Sequence, residues 1–565
     1  MFETHPQSRP AVSRPLRTAL AAAAATLGTA AATLGAQAPA AITPAEIDGH
    51  LRFLSSDLLE GRAPATRGGR LAAEYIAAQL RAASVAPGVG DTSYFQTVPI
   101  DVVKADPATI RVAASGKAAA ALRFPDDVVV WAGSAADSSA ARGEVVFAGY
   151  GAAAPEYRWD DFKGVDVRGK WLMVLVNDPP APPNEPALFG GKAMTYYGRW
   201  TYKFEEAERR GAAGMLIVHT TERAGYPWQV VVGSNSVEHR LLPRDASGPA
   251  PIGVRGWIKD TAAAALLKQA GLDFDTLRAQ AARRDFRPVA TGIVLDASFR
   301  NAVSHLRSEN VVGVLPGRDP ARRREYVALS AHWDHLGVGP VVAGDSIYNG
   351  AEDNASGVAD LLAVARAAAA GPRPARSLLF AFVTAEESGL LGSAYFAEHP
   401  TVPAASLVAN VNLDGGNLLG RVRDLNVLGD TKSQLGPMLA ALVRPQGVRL
   451  TPEEHPEQGH FYRSDHFSFA KAGVPAVSVG PGVDYVGRPA GWGKAQDEDY
   501  TAHRYHQPSD SYRPDFDLGG AVQLSTVVLD FARSIANSSA WPAWSPGAEF
   551  KRPAARTTAS VGSVR

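Results

Sequence analysis

Cysteine is missing from all 565 residues, so disulfides and thiolate metal sites are excluded, and any bound metal must take nitrogen and oxygen ligands. Net charge is missing too. The chain has 57 basic residues against 57 acidic ones, which gives no support to nucleic acid or an anionic membrane as a partner held by bulk charge. Beyond the first forty-odd residues, no run approaches the ~18 consecutive apolar residues of a membrane-spanning helix. Hydrophobic residues make up 46% and charged residues 20%, as in globular chains that stay in solution. At this length one ordinary core is too small an account, and at least two domains are expected.

The one long uncharged stretch lies at the N-terminus. Arg9, Arg14 and Arg17 precede an alanine-rich run over 18–41 that contains Ala36-Gln37-Ala38. Too rich in Ala, Thr and Gly for a permanent span, it reads as an export signal over residues 1–38, which predicts a periplasmic or extracellular protein. Thr43-Pro44-Ala45-Glu46 then has the pattern of a helix start, with Thr as N-cap, Pro in the first turn and Glu closing a capping box. Ile47, Leu51, Leu54 and Leu58 follow at helical spacing, and a second amphipathic stretch presents Leu71, Tyr75, Ile76 and Leu80.

From about residue 135 short β-like runs alternate with loops rich in Gly, Pro and Asp, and this texture lasts to about residue 300. His219 and His239 stand alone there, without carboxylates at ligand spacing, and are expected to be structural or solvated. From residue 308 the rhythm becomes strand–helix–strand: apolar runs at 310–315, 326–330, 377–384, 407–413 and 474–479 alternate with helical stretches at 357–370 and 389–399, before a closing helix at 517–537. That alternation predicts an α/β fold: a mostly parallel sheet with helices on both faces, three layers in all, interrupted by a β-rich insert. The expected division is 1–38 signal, 39–134 first part of the main domain, 135–300 insert, 301–540 second part, and 541–565 a mobile tail.

The strings AHWDHLG (331–337), NGAEDNASG (349–357), TAEESG (384–389), VNLDGG (411–416) and YHQPSD (505–510) place His332, Asp334, Asp353, Glu386, Glu387, Asp414 and His506 in order. His332, the Glu386/Glu387 pair and Asp414 each follow a predicted strand, and in open α/β sheets ligands gather at the carboxyl ends of strands. In His332-Trp333-Asp334, residues two apart project to one side, so Asp334 is placed to accept the second ring N–H of His332 and fix its tautomer. Glu386 and Glu387 diverge, so one can ligate a metal while the other remains a base. Asp353, Glu387, Asp414 and a bridging hydroxide nearly balance two dications, with His332 and His506 ligating as neutral rings. Such a donor set favours two Zn2+ ions, with Co or Mn as substitutes.

This ordered set resembles the co-catalytic zinc exopeptidases, a family that includes secreted leucyl aminopeptidases, aminopeptidase Y and glutamate carboxypeptidase. The resemblance covers roughly residues 45–130 and 303–540, and extends to Ser464-Asp465-His466 and Gly473-Val474-Pro475-Ala476. It implies Asp353 as the carboxylate shared by both metals, Asp414 and His332 on one zinc, Glu387 and His506 on the other, and Glu386 as general base and acid. Stretches 143–170 and 205–220 are similar to the protease-associated domain that interrupts some members. His335, His460, His466 and His503 are expected beside the site or on the surface rather than among the ligands.

The favoured expectation is therefore an exported zinc aminopeptidase acting on peptide or protein N-termini through a metal-bridged hydroxide and the Glu386 base. A glutamate-type carboxypeptidase shares every ligand and would need a basic cluster, for which Arg421, Arg423, Arg463 and Arg504 are candidates. A peptidase fold kept only for binding is disfavoured, because no ligand position is lost.

Overall fold

The strand runs at residues 377–383 and 407–412 are buried along their whole length, and that at 326–332 from Val327 onward, as strands covered on both faces must be. In the computed structural model, which describes residues 41–236, 238–244 and 248–552, they form the middle of a mixed sheet. Its strands are β1 (Phe95–Ala105), β2 (Val289–Leu315), β3 (Tyr326–His332), β4 (Ser377–Val383), β5 (Leu407–Asn412), β6 (Asp424–Leu428) and β7 (Ala476–Pro481). The spatial order is β1-β2-β4-β3-β5-β7-β6. The four strands from β4 to β7 in that order run parallel, whereas β1 and β2 pair antiparallel with their neighbours, and β6 pairs antiparallel with β7 and parallel with the short strand Arg449–Thr451.

Strand alternation divides the core into two layers. Val327, Leu329 and Ala331 pack with Leu378, Phe380 and Phe382 under α1 (Pro44–Leu54), α2 (Arg67–Ala82), α3 (Gly357–Ala370) and α5 (Gly519–Asn537). Ala328, Leu379, Ala381 and Val383 point the other way, against Phe396 of α4 (Leu391–Glu398) and Phe467 and Phe469. The expected α/β sandwich, with helices on both faces of a large sheet, is what forms. No helix of the described residues is long and apolar enough to cross a membrane.

The first helix starts as its sequence requires: Thr43 is the N-cap and its hydroxyl accepts from the Glu46 N–H at 3.3 Å. The second differs from expectation. It begins at Arg67 on a Thr66 N-cap, and its buried face is Gly68, Gly69, Ala72, Ala73, Ile76, Ala77 and Leu80, while Leu71 is exposed and Tyr75 half-buried. Close approach is the reason. A Cβ on Gly68 would stand 1.7 Å from the Leu59 carbonyl oxygen, so small residues, not the largest apolar ones, mark the packed face.

A second sheet is built from residues 128–132, 254–259, 214–219, 171–175, 138–147, 289–300 and 111–116 in that spatial order. Val128 and Val130 face one core and Val129 and Trp131 another, so this sheet too is covered on both sides. Strands 111–116 and 128–132, expected in the first part of the main domain, belong to it, because their partners are 293–298 and 254–258. The 27-residue β2 is common to both sheets: residues 289–300 pair in the second and 301–311 with β1 in the first. The tail expected to be mobile from 541 is packed as far as it is described. Trp544 donates to Gly473 O, Glu549 accepts from Tyr462 and Lys432, and Phe550 is buried. The leader at 1–38 and the end of the tail lie outside the described residues.

Candidate metal centre

Three parallel strands deliver their following residues to one edge of the first sheet. His332 ends β3, Glu386 and Glu387 follow β4, and Asp414 follows β5. Asp353 sits in the turn before α3, and His506 in the loop after the helix Trp492–His503, with a left-handed φ of 57°. All seven residues singled out in the sequence meet at this edge.

His332 Nε2 lies 3.1 Å from Asp414 Oδ1 and 3.3 Å from Asp353 Oδ1. His506 Nε2 lies 3.2 Å from Asp353 Oδ2 and 3.0 Å from Glu387 Oε2. Two groups thus share Asp353, one through each of its oxygens. His335 joins the second group, its Nδ1 2.6 Å from Glu387 Oε1 and its ring 5.7 Å from that of His506. The position expected of Asp334 is corrected in one respect. His332 Nδ1 donates to the backbone oxygen of Asp334 at 3.1 Å, while the carboxylate is 3.8 Å away and instead accepts the Glu386 N–H.

With its Nδ1–H spent on that carbonyl, a neutral His332 offers Nε2 only as a lone pair. The same reasoning applies across the cluster: lone pairs of imidazole and carboxylate converge on common points. Acceptors brought together in this way require a cation between them, and the oxygen and imidazole donors suit a divalent one. The residues present therefore fit a metal. Burial opposes the charged form of Asp353, yet His332 and His506, when protonated in place of a metal, donate to its carboxyl and hold it well below the usual range. His506 is lowered by burial but raised overall, to about 10, by Asp353 and Glu387. Glu386 goes the other way: burial raises it well above the carboxylate range, Asp414, Glu387 and Asp465 add to this, and His332 opposes it. Its carboxylate accepts no hydrogen bond from the described residues.

Two groups hold this geometry that the sequence reading did not single out for it. The Asp510 carboxylate accepts the N–H groups of Glu352 (2.9 Å) and Asp353 (3.1 Å), tying the His506 loop to the Asp353 turn. Arg62 is fully buried, and its guanidinium donates to the carbonyls of Leu54, Trp333, Asn349 and Gly350 at 2.5–3.0 Å. It therefore clamps the loops that carry His332 and Asp353. Burial lowers its pKa to about 10, and Asp510, Asp353, Asp334 and Glu387 work against that, so it stays a cation among acids. Arg62→Met is expected to cost about 3–5 kcal/mol, because four carbonyls lose their donor and the acids lose a counter-charge. Arg62→Lys should fall between it and the parent. Urea unfolding checks this, and an unchanged midpoint for the Met variant would refute the clamp.

His466 is fully buried against the Phe461 ring, 4.8 Å between centroids, and neither ring nitrogen makes a hydrogen bond of normal geometry among the described residues. Burial lowers it to about 3. Between pH 6.5 and about 3 the unfolded chain binds a proton that the folded chain does not, so this residue makes stability fall as the pH falls, by on the order of 5 kcal/mol in all. A His466→Leu variant should unfold less steeply between pH 6 and 4 than the parent in thermal melts. Equal slopes would show that the ring finds a partner on protonation.

Comparison with known proteins gives the following likenesses. Leupeptin-inactivating enzyme 1 of Streptomyces exfoliatus is 28% identical over 207 residues, 36% of this chain and 43% of that protein. A probable glutamate carboxypeptidase of Arabidopsis thaliana is 29% identical over 210 residues, 34% of this chain and 27% of that protein. The chain thus spans less than half the length of these curated relatives. Among solved structures, an aminopeptidase from Aneurinibacillus sp. strain AM-1 aligns over 88% of this chain and 94% of that one, with 18% identity and a TM-score of 0.45. Residues 310–532, which carry all seven side chains of the cluster, match the model of peptidase family M28.

Proposed function

We propose that the chain is an exported zinc exopeptidase that removes residues from peptide or protein N-termini. The observation that carries this reading is the sharing of Asp353 between two histidine–carboxylate groups, beside a Glu386 carboxylate that accepts no hydrogen bond among the described residues. His332, Asp414 and Asp353 would hold one Zn2+, and Asp353, Glu387 and His506 a second. His506 is preferred to His335 because its Nε2 contacts both carboxylates, whereas His335 hydrogen-bonds only Glu387. When bound, the metals polarise the peptide carbonyl and lower the pKa of water.

The chain's own part is proton transfer and orientation. Glu386 takes the proton of the attacking water as the C–O bond forms, then passes it to the amine nitrogen as the C–N bond breaks. Burial raises its pKa above the ordinary carboxylate range, which favours accepting a proton. Asp334 and Asp510 hold His332, Glu386 and Asp353 in place through backbone groups. The second sheet is proposed to be an inserted domain of the protease-associated kind that shapes the cleft. Arg240, which precedes the return to that sheet, reaches Ser388 beside Glu387 at 3.3 Å.

A panel of aminoacyl, blocked aminoacyl and γ-glutamyl peptides, assayed with and without chelator, tests the reading. Chelator-sensitive release from free N-termini alone is expected. Release from γ-glutamyl or N-blocked peptides would favour the carboxypeptidase alternative instead. Of the four arginines weighed for that alternative, Arg423 is paired with Asp484 and Arg504 with Asp499, which leaves Arg421 and Arg463 without an acid among the described residues.

A further inference from the structure

A cavity of about 170 Å3 lies where β6, the helix Trp492–His503 and the loops that carry the metal cluster meet. Three of the residues that line it stand next to cluster residues in the chain: Glu352 immediately before Asp353, Gly416 shortly after Asp414, and Arg504 shortly before His506. Hydrogen bonds fix that proximity. Tyr500, another lining residue, donates its hydroxyl to Asp510 Oδ2 at 3.3 Å, and the same carboxylate accepts the N–H groups of Glu352 and Asp353. The Tyr500 carbonyl accepts the N–H groups of Arg504 and Tyr505 at 2.8 and 2.9 Å, and the Tyr505 ring stacks on that of His506 with centroids 3.9 Å apart.

The charges in the wall do not cancel. Its carboxylates are Glu352, Glu454 and Asp497, and its one guanidinium is Arg504. Arg504 is taken by Asp499 at 2.9 Å and Glu454 by Lys494, and neither of these partners lines the cavity. Glu352 and Asp497 make no ion pair, and their carboxylates accept no hydrogen bond, among the described residues. On β6 the Oδ1 of Asn426, which also lines the cavity, is enclosed and finds no donor among them either. Leu418 and Tyr485, both buried, complete the wall with apolar surface. Acceptors without donors thus surround a space larger than the roughly 150 Å3 that admits a benzene ring, with room for a chain of methylenes.

We propose that this cavity is the pocket that selects the substrate of the metal site, and that it takes a cationic side chain, lysine or arginine, whose head is held by Glu352, Asp497 and Asn426. The inference rests on the peptidase reading above and adds to it the class of residue recognised. An ammonium or guanidinium carries donors only, which is what this wall lacks, and hydrogen bonds to charged groups are the stronger ones. The stem of a long cationic side chain packs on apolar surface such as Leu418 and Tyr485 while its head stays among polar groups. An acidic side chain would meet like charge, and an aliphatic one would leave the acceptors unpaired and dry. The cation has two sources in a peptide, the N-terminal residue or the one that follows it.

The test compares Lys-Ala-amide with norleucyl-Ala-amide, which has the same stem without the ammonium, and Ala-Lys-amide with Ala-norleucyl-amide. Each is assayed on the full chain and on Glu352→Gln, Asp497→Asn and Asp497→Lys. For the parent, the lysyl member of at least one pair should have the higher kcat/KM, by about tenfold to a hundredfold, and that pair identifies which residue enters the cavity. The lysyl-to-norleucyl ratio should fall in all three variants through KM, and furthest in Asp497→Lys, where the matching glutamyl peptide should gain on the lysyl one. Asp497 is exposed on its helix, so its two variants keep the test open even if Glu352→Gln fails to fold. A merely structural Glu352 would lower both members of a pair alike and leave their ratio where it was. Parent ratios at or below one in both pairs, or ratios unchanged by all the substitutions, overturn the pocket while leaving the peptidase reading intact. Should the parent cleave none of the four peptides, the aminopeptidase reading fails by itself. Calorimetric binding of lysinamide against norleucinamide then decides the pocket, and equal affinities refute it.

Discussion

Glu386→Gln is expected to keep the metal content of the parent while turnover falls by roughly two to four orders of magnitude. The two halves of this expectation have separate causes. Glu386 accepts no hydrogen bond from the described residues, and its backbone N–H, which donates to Asp334 Oδ1 at 3.1 Å, is untouched by the change. An amide of the same shape therefore fits without loosening the edge of the sheet or moving Glu387. What the amide lacks is the capacity to take a proton, and with it the route from water to the leaving amine. Because the lost interaction belongs to the transition state, kcat should carry the loss and KM should change little. Steady-state hydrolysis of an aminoacyl 4-nitroanilide, set beside elemental analysis of the same sample, reads both halves. Robust turnover with full metal would remove Glu386 from the role of base. Lost metal would instead mark it as a ligand.

Much of this cluster was legible in the sequence because its candidate ligands sit where strand runs stop. The runs at 326–330, 377–384 and 407–413 are continuous apolar stretches, which only doubly covered strands need, and each is followed within a few residues by an imidazole or carboxylate. Convergence then follows from parallel topology. The groups that steady the ligands were not legible, since they act through the backbone. Arg62 reaches across almost three hundred residues to the Asn349 and Gly350 carbonyls, and nothing about an arginine in a short turn announces that. Asp510 lay in a string already singled out, yet its partners are two N–H groups that only the fold places. The buried face of α2 was misjudged for a related reason. Close packing selected Gly68, Gly69 and Ala72, and a scale that rewards large apolar side chains points to Leu71 instead. The start of the second sheet at 111 was hidden because its first strands pair with residues near 255 and 295.

Asp353→Asn should be more damaging than the loss of the base, because it removes the proposed metals along with the activity. Asp353 is the carboxylate common to both groups: Oδ1 faces His332 at 3.3 Å and Oδ2 faces His506 at 3.2 Å. An asparagine retains one oxygen for one side and turns an NH2 group toward the other, where its hydrogens would oppose a cation instead of attracting it. It also removes a negative charge from a buried place, and two dications held close together depend on that charge. The fold should survive, since the Asp353 N–H still donates to Asp510 and the Arg62 clamp on the Asn349 and Gly350 carbonyls is unaffected. Dialysis followed by elemental analysis should therefore find clearly fewer metals per chain in the variant than in the parent, with circular dichroism unchanged and activity below that of Glu386→Gln. Full metal retention would mean that Asp353 is not shared, and that each ion is held by its own carboxylate, Asp414 on one side and Glu387 on the other. Loss confined to one metal, with the His332 group still loaded, would show that the retained oxygen serves that side alone and that the shared carboxylate matters chiefly to Glu387 and His506.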